Sequence, residues 1–217
     1  MDIKSLNITT VQETVYEELL KAILQGKIPP GEKITMEGIA KMMNVSLMPV
    51  RVALKKLEAG NFVKIGTNRR ITITELTKEN MAEIFKIRRL VEAYAAELAC
   101  TTRSDATVEL LEKYNEICET SDDSEEYLNA NSKFHSIIYS EARMPILEGI
   151  INSLWQQVSP YLHILIREEH QRIINEFDPN HRGMIDAMKN KDPLSMRVWI
   201  IKELTEAEKL IAHKMDW

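Results

Sequence analysis

The sequence predicts a mainly α protein in two parts, a small domain of three helices and a hairpin followed by an all-α bundle of six or seven helices. Three observations carry that expectation. Five of the seven glycines (Gly26, Gly31, Gly38, Gly60 and Gly66) precede residue 70, so tight turns belong to the start of the chain. From Thr77 onward, apolar residues recur at helical spacing over long stretches. Charge divides along the same line: residues 1–75 hold 11 Lys/Arg against 8 Asp/Glu, and residues 76–217 hold 17 against 25. The domains are therefore drawn as 1–75 and 76–217.

The elements follow in order. Val15, Leu19 and Ile23 share one face of a helix over 11–25, which stops at Gly26. Ile28-Pro29-Pro30-Gly31 cannot continue a helix and reads as an extended turn. Thr35 caps a short helix over 36–43, and Asn44 suits the left-handed turn that ends it. Ser46 caps the next helix, which runs to Ala59 with Pro49 in its first turn. Phe62–Ile65 and Ile71–Thr74, with a turn between them, form a hairpin. Three helices and a hairpin make a winged helix-turn-helix, with small Ala40 where the paired helices meet. Beyond it, helical runs fit 78–100, 104–119, 123–142, 145–157, 160–177, 180–190 and 193–213. Breaks are expected at Ser121–Ser124, Met144-Pro145, Ser159-Pro160, Asp178-Pro179 and Asp192-Pro193.

Composition narrows the function. A 217-residue chain that is 44% hydrophobic and 28% charged has enough apolar material for real cores, which argues against disorder. No apolar run exceeds four residues, so neither a membrane span nor a secretory signal core is expected. Cys100 and Cys118 form no metal-spaced pair and no disulfide framework, which suits a reduced, cytoplasmic setting. Within 41–70 seven basic residues face Glu58 alone, a surface suited to a polyanion. Arg51, Lys55 and Lys56 make the outer face of the second paired helix basic, where a recognition helix meets phosphate.

The run from Val15-Tyr16 through Ile28-Pro29-Pro30-Gly31-Glu32 to Val45-Ser46-Leu47-Met48-Pro49-Val50-Arg51-Val52-Ala53-Leu54 resembles the DNA-binding domain of the GntR family over about 11–75. The resemblance implies a DNA-binding transcriptional regulator on a double-stranded operator, and a homodimer is expected because two recognition helices on a near-palindrome multiply a modest single-domain affinity. The family commonly has Arg where this chain has Leu47, and Met48 replaces a frequent threonine. Leu47 offers only apolar contact, for instance to a thymine methyl, so the family's usual operator preference does not transfer. Arg51 is the candidate for base readout. Ser46, Lys55, Arg69 and Arg70 are candidates for phosphate or wing contacts, beside Leu47 and Met48 at the helix start.

In the second half, Tyr127, Asn131, Phe134, His135 and Ile138 share one helical face, and His181, Ile185 and Met188 share another. A lone histidine on an apolar stripe is ordinarily a satisfied core residue; two on separate helices suggest a shared pocket. Residues 78–215 resemble the all-helical FCD effector domain of the FadR-like branch, through Arg88-x-x-x-Glu92, Asn131–His135, Asn180-His181 and Met196–Trp199. In many members an Asp and three histidines hold a divalent metal beside a small carboxylate effector. The corresponding residues here are Asn131, His135, His181 and Trp199. An amide and an indole replace two ligands, so the set is expected to hold no metal tightly, with His135, His181 and Asn131 as weak ligands at most. The expected effector site is Arg88, Asn131, His135, His181 and Trp199, with Arg88 pairing either with a carboxylate or with Glu92 one turn along. Two alternatives use the same residues: a DNA-binding dimer with a vestigial, ligandless helical half, and an enzyme built on the two histidines. No nucleophile–base motif or phosphate loop supports the enzyme.

Overall fold

The computed structural model describes residues 10–66 and 70–217. The chain divides into two compact units, the first closing at Leu76 and the second spanning Thr77–Trp217.

In the first unit α1 (Val11–Leu24) opens on a reciprocal cap, Thr10 bonding the Glu13 backbone while Glu13 returns to the Thr10 N–H. β1 (Lys33–Thr35) leads into α2 (Met36–Met43), and Thr35 Oγ1 accepts from the Gly38 N–H at 3.1 Å. Asn44 ends α2 at φ 52°, ψ 47°. α3 (Leu47–Ala59) follows, then β2 (Val63–Ile65) and β3 (Arg70–Ile73). The sheet has three strands in the order β1-β3-β2, all antiparallel. β1 was not expected: its three residues are too few to show alternation, and Thr35 serves as both strand end and helix cap. Val15, Leu19 and Ile23 of α1, Val50, Leu54 and Leu57 of α3, and Val63, Ile71 and Ile73 of the sheet form one hydrocarbon core.

The second unit is helical throughout: α4 (Lys78–Thr102), α5 (Asp105–Thr120), α6 (Ser124–Glu141), α7 (Pro145–Lys189) and α8 (Pro193–Lys214). α4 packs against α6, α7 and α8, and buried Ala93, Ala95, Ala96 and Ala99 allow that close approach. The expected breaks at Pro160 and Pro179 do not occur. α7 runs through both prolines and kinks at Glu169 instead, where φ is −126° and ψ is 27°. A proline inside a helix removes one hydrogen bond, at about 3 kcal/mol. Burial of Val158, Tyr161, Leu165 and Ile166 around Pro160 outweighs that loss. Among the described residues, no helix is long and apolar enough to cross a membrane.

Candidate functional sites: an exposed helix face and a buried His–His–Glu cluster

In the first unit, the fold holds α3 by Val50, Ala53, Leu54 and Leu57 and turns the opposite face outward. That face carries Ser46, Leu47, Met48, Arg51 and Lys55, all exposed. Ser46 has the extended backbone of a cap residue, but its hydroxyl makes no capping bond, unlike that of Thr35. Met48 is 61% exposed, which costs an apolar side chain its burial unless a partner covers it. Two charges of the basic stretch have other work. The Lys56 ammonium stands 3.8 Å from the centre of the Tyr16 ring. Glu58, the sole acid, accepts the Ile65 N–H at 3.1 Å and so ties α3 to the hairpin. Arg70 is exposed at the start of β3, and Arg69 lies outside the described residues.

The helical unit holds a different kind of site. Arg88 on α4 is 2% exposed, and its Nε donates to Glu92 Oε1 at 2.6 Å. Glu92 also accepts from the Trp155 indole N–H at 3.1 Å and from the Tyr139 hydroxyl. Burial, then the Glu92 charge, pushes the Tyr139 hydroxyl well above the usual tyrosine range, so it stays a donor. With its proton on Glu92, the Tyr139 oxygen is left to accept from His135 Nδ1, 3.4 Å away. That chain turns the lone pair of His135 Nε2 to the far side of the ring.

Glu203 of α8 meets it there. Its Oε1 lies 2.8 Å from His135 Nε2, and its Oε2 lies 3.8 Å from His181 Nε2. The short approach lacks hydrogen-bond alignment: His135 Nε2, His181 Nε2 and Glu203 Oε2 are all buried without a hydrogen-bond partner. Burial pushes His181 down to about 4, against the opposing pull of Glu203, which keeps its ring neutral near pH 7. Burial raises the Glu203 carboxyl, but the two imidazoles outweigh it and hold it below its ordinary range. The three ligand atoms lie within 4.8 Å of one another. Two imidazoles and one carboxylate are a donor set for a divalent transition ion, and three buried ligand atoms without hydrogen-bond partners, lying together, fit such an ion.

Beside the cluster lies a cavity of about 40 Å³ whose polar wall includes Arg88, Asn131 and Glu203. Arg88 Nη1 is buried there with no acceptor. Of the two readings weighed from the sequence, the structure shows the pairing of Arg88 with Glu92, and Arg88 also lines the cavity. The structure brings Arg88 and Asn131 to the cavity and His135 and His181 to the cluster. Trp199 joins neither. Its indole fills the space beside Gly183, where an added Cβ would stand 2.1 Å from the ring. The sequence reading missed Glu203, one turn beyond Trp199. Its signal was available: a carboxylate on the apolar stripe Met196, Ile200, Leu204 and Ala207 of α8.

Comparison with known proteins sorts the two units. Residues 11–73 match the family described as bacterial regulatory proteins, gntR family, and residues 83–200 match the FCD domain. The HTH-type transcriptional regulator McbR of Escherichia coli is 30% identical over 182 residues, covering 82% of each chain. The gluconate operon transcriptional repressor of Bacillus subtilis is 27% identical over 189 residues, covering 82% of this chain and 75% of its own. Among solved structures, E. coli McbR/YncC superposes with a TM-score of 0.81 at 26% identity, over 96% of this chain and all of that one.

Proposed function

The chain belongs to the gntR family of bacterial regulatory proteins and carries an FCD domain, and on that premise we propose how its two sites work together. It is a DNA-binding transcriptional regulator with a metabolite-sensing helical domain, and not an enzyme. In the reading proposed, α3 lies in the major groove. Arg51 reads base edges, Leu47 and Met48 touch thymine methyls, and Ser46, Lys55, Arg69 and Arg70 hold phosphates.

The protein acts as a homodimer, which doubles the DNA contact on a near-palindromic operator. The helical unit has a surface for it. α4 and α8 are bridged by Glu97–Arg197 and Arg89–Glu208, and they expose Ile87, Leu90 and Tyr94 on one helix and Leu194 and Val198 on the other. The sensor holds a divalent ion on His135, His181 and Glu203, and a small carboxylate in the cavity against Arg88 and Asn131. The convergence of the three unpartnered ligand atoms carries this reading.

Metal-stripped protein titrated with Co²⁺ tests it. One ion per chain with imidazole–carboxylate absorption is expected, and Glu203→Gln should weaken binding at least tenfold. Protein that takes up no ion would sink the cation half of the reading. On the DNA side, Arg51→Ala should cut operator-over-random discrimination by about 1–3 kcal/mol. Lys55→Ala should weaken both DNAs equally and lower the salt slope by about one.

A further inference from the structure

We propose that a groove between α5 and α7 is a second ligand site, and that it takes a short aliphatic diamine in its doubly protonated form. The site stands apart from the His135–His181–Glu203 cluster and from the small cavity beside it, and it depends on neither.

The groove is framed by two ion pairs. Arg182 Nε of α7 meets Glu119 Oε1 of α5 at 2.8 Å, and Lys189 Nζ meets Glu112 Oε1 at 2.6 Å. Seven residues of each helix separate the pairs, about 10 Å at 1.5 Å per residue. Between them lies an open volume of about 340 Å³. Each end pair is neutral, but the middle is not. Glu116 from one wall and Asp186 from the other line the groove and make no ion pair among the described residues, so two negative charges stand uncompensated there.

The floor adds a demand of its own. Asn115 and Ile185 line the same groove and are both buried, at 6% and 5% exposure. The Asn115 Nδ2 donates to Glu119, which settles the orientation of the amide and leaves Oδ1 as the acceptor. That oxygen is buried with no hydrogen-bond partner. A buried acceptor without a donor is a cost that a ligand N–H removes. A small metal ion does not answer this set. Among the described residues, the carboxylates of the groove are not gathered as the ligand atoms of the cluster are, within 4.8 Å of one another. The ligand has to span its acceptors instead. It needs two positive charges for Glu116 and Asp186, an N–H for Asn115 Oδ1 and a hydrocarbon middle for Ile185. An alkyl chain of a few carbons with an ammonium at each end supplies all of these.

The test uses the full chain at fixed ionic strength and reads calorimetric binding of putrescine, cadaverine, butylamine, pentalysine and Mg²⁺. Putrescine or cadaverine should bind once per chain, at least tenfold tighter than butylamine or Mg²⁺, and more weakly as salt rises. Glu116→Gln and Asp186→Asn should each weaken the diamine at least fivefold. Both residues are exposed, so circular dichroism should show the fold unchanged. Glu109→Gln removes an exposed acid of α5 outside the groove and should leave the affinity within twofold. Diamine binding that neither groove variant changes, or that Glu109→Gln weakens as much as Glu116→Gln does, would overturn the site. Mg²⁺ bound as tightly as the diamines would overturn the ligand class. Pentalysine bound tighter than either diamine would overturn it too, and would make the groove a seat for lysine side chains of another protein.

Discussion

The two units treat polar groups in opposite ways. Among the described residues, every buried polar or charged residue, including Arg88, Glu92, Asn180, His135, His181 and Glu203, belongs to the helical unit. The winged unit buries hydrocarbon and keeps its charges outside. The difference follows from what each unit recognises. DNA is met at the surface, where a basic side chain stays solvated until contact and costs the fold nothing. A small molecule has to be enclosed, and enclosure takes ionised groups out of water. The helical unit is therefore the one in which a single substitution should reach furthest.

The largest break should come from Glu92→Ala. It strands Arg88, at 2% exposure, without its ion-pair partner. A loss of about 3–5 kcal/mol is expected from removing one partner of a buried pair. All three tryptophans, Trp155, Trp199 and Trp217, lie in the helical unit, so a denaturation midpoint followed by fluorescence reports on it alone. A shift under a tenth of this size would mean that the pair is not buried as described.

Acid comes next. The unfolded chain protonates His181 near 6.5, whereas burial delays protonation in the folded protein to about 4. Stability is then complete above pH 6.5 and falls as pH drops toward 4, by about 3 kcal/mol for this group at about 1.4 kcal/mol per unit. The lowered Glu203 carboxyl adds to the loss in the same direction. Melting curves of metal-stripped wild type and His181→Asn at pH 7.5 and 4.5 should show the smaller drop in the variant. Equal drops would place the acid sensitivity elsewhere.

Gly183→Ala should cost about 1–3 kcal/mol through overpacking, because the new Cβ meets Trp199 at 2.1 Å. Adding Trp199→His should recover part of that loss; strict additivity would mean that the two residues do not touch. The smallest effect belongs to the winged unit. Thr35→Ala removes the α2 cap and should cost about 1 kcal/mol, seen by circular dichroism and not by tryptophan fluorescence. A change as large as that of Glu92→Ala would erase the contrast between the units.

Legibility divided along the same boundary. Thr35 and Asn44 were readable because capping and left-handed turns are local chemistry that a few residues specify. β1 was not, since a three-residue strand is made by its partner β3 rather than by its own pattern. Nor was the course of α7, where burial around Pro160 overrides a local rule and the kink falls at Glu169, which no proline marks. At the buried cluster, Asn131, His135 and His181 could be picked out as polar residues on apolar stripes, and Arg88 through the motif it shares with Glu92. Trp199 could not be placed without knowing that Gly183 leaves room for it. Glu203 stands on the apolar stripe of α8, but its role depends on which helices pack together.

The seat of Trp199 also makes positions 183 and 199 a single unit of substitution, although sixteen residues separate them. A side chain at 183 would stand 2.1 Å from the indole ring, so the ring has to shift before the two can coexist, whereas a smaller residue at 199 beside Gly183 leaves only a gap. What either position tolerates is set by the residue at the other.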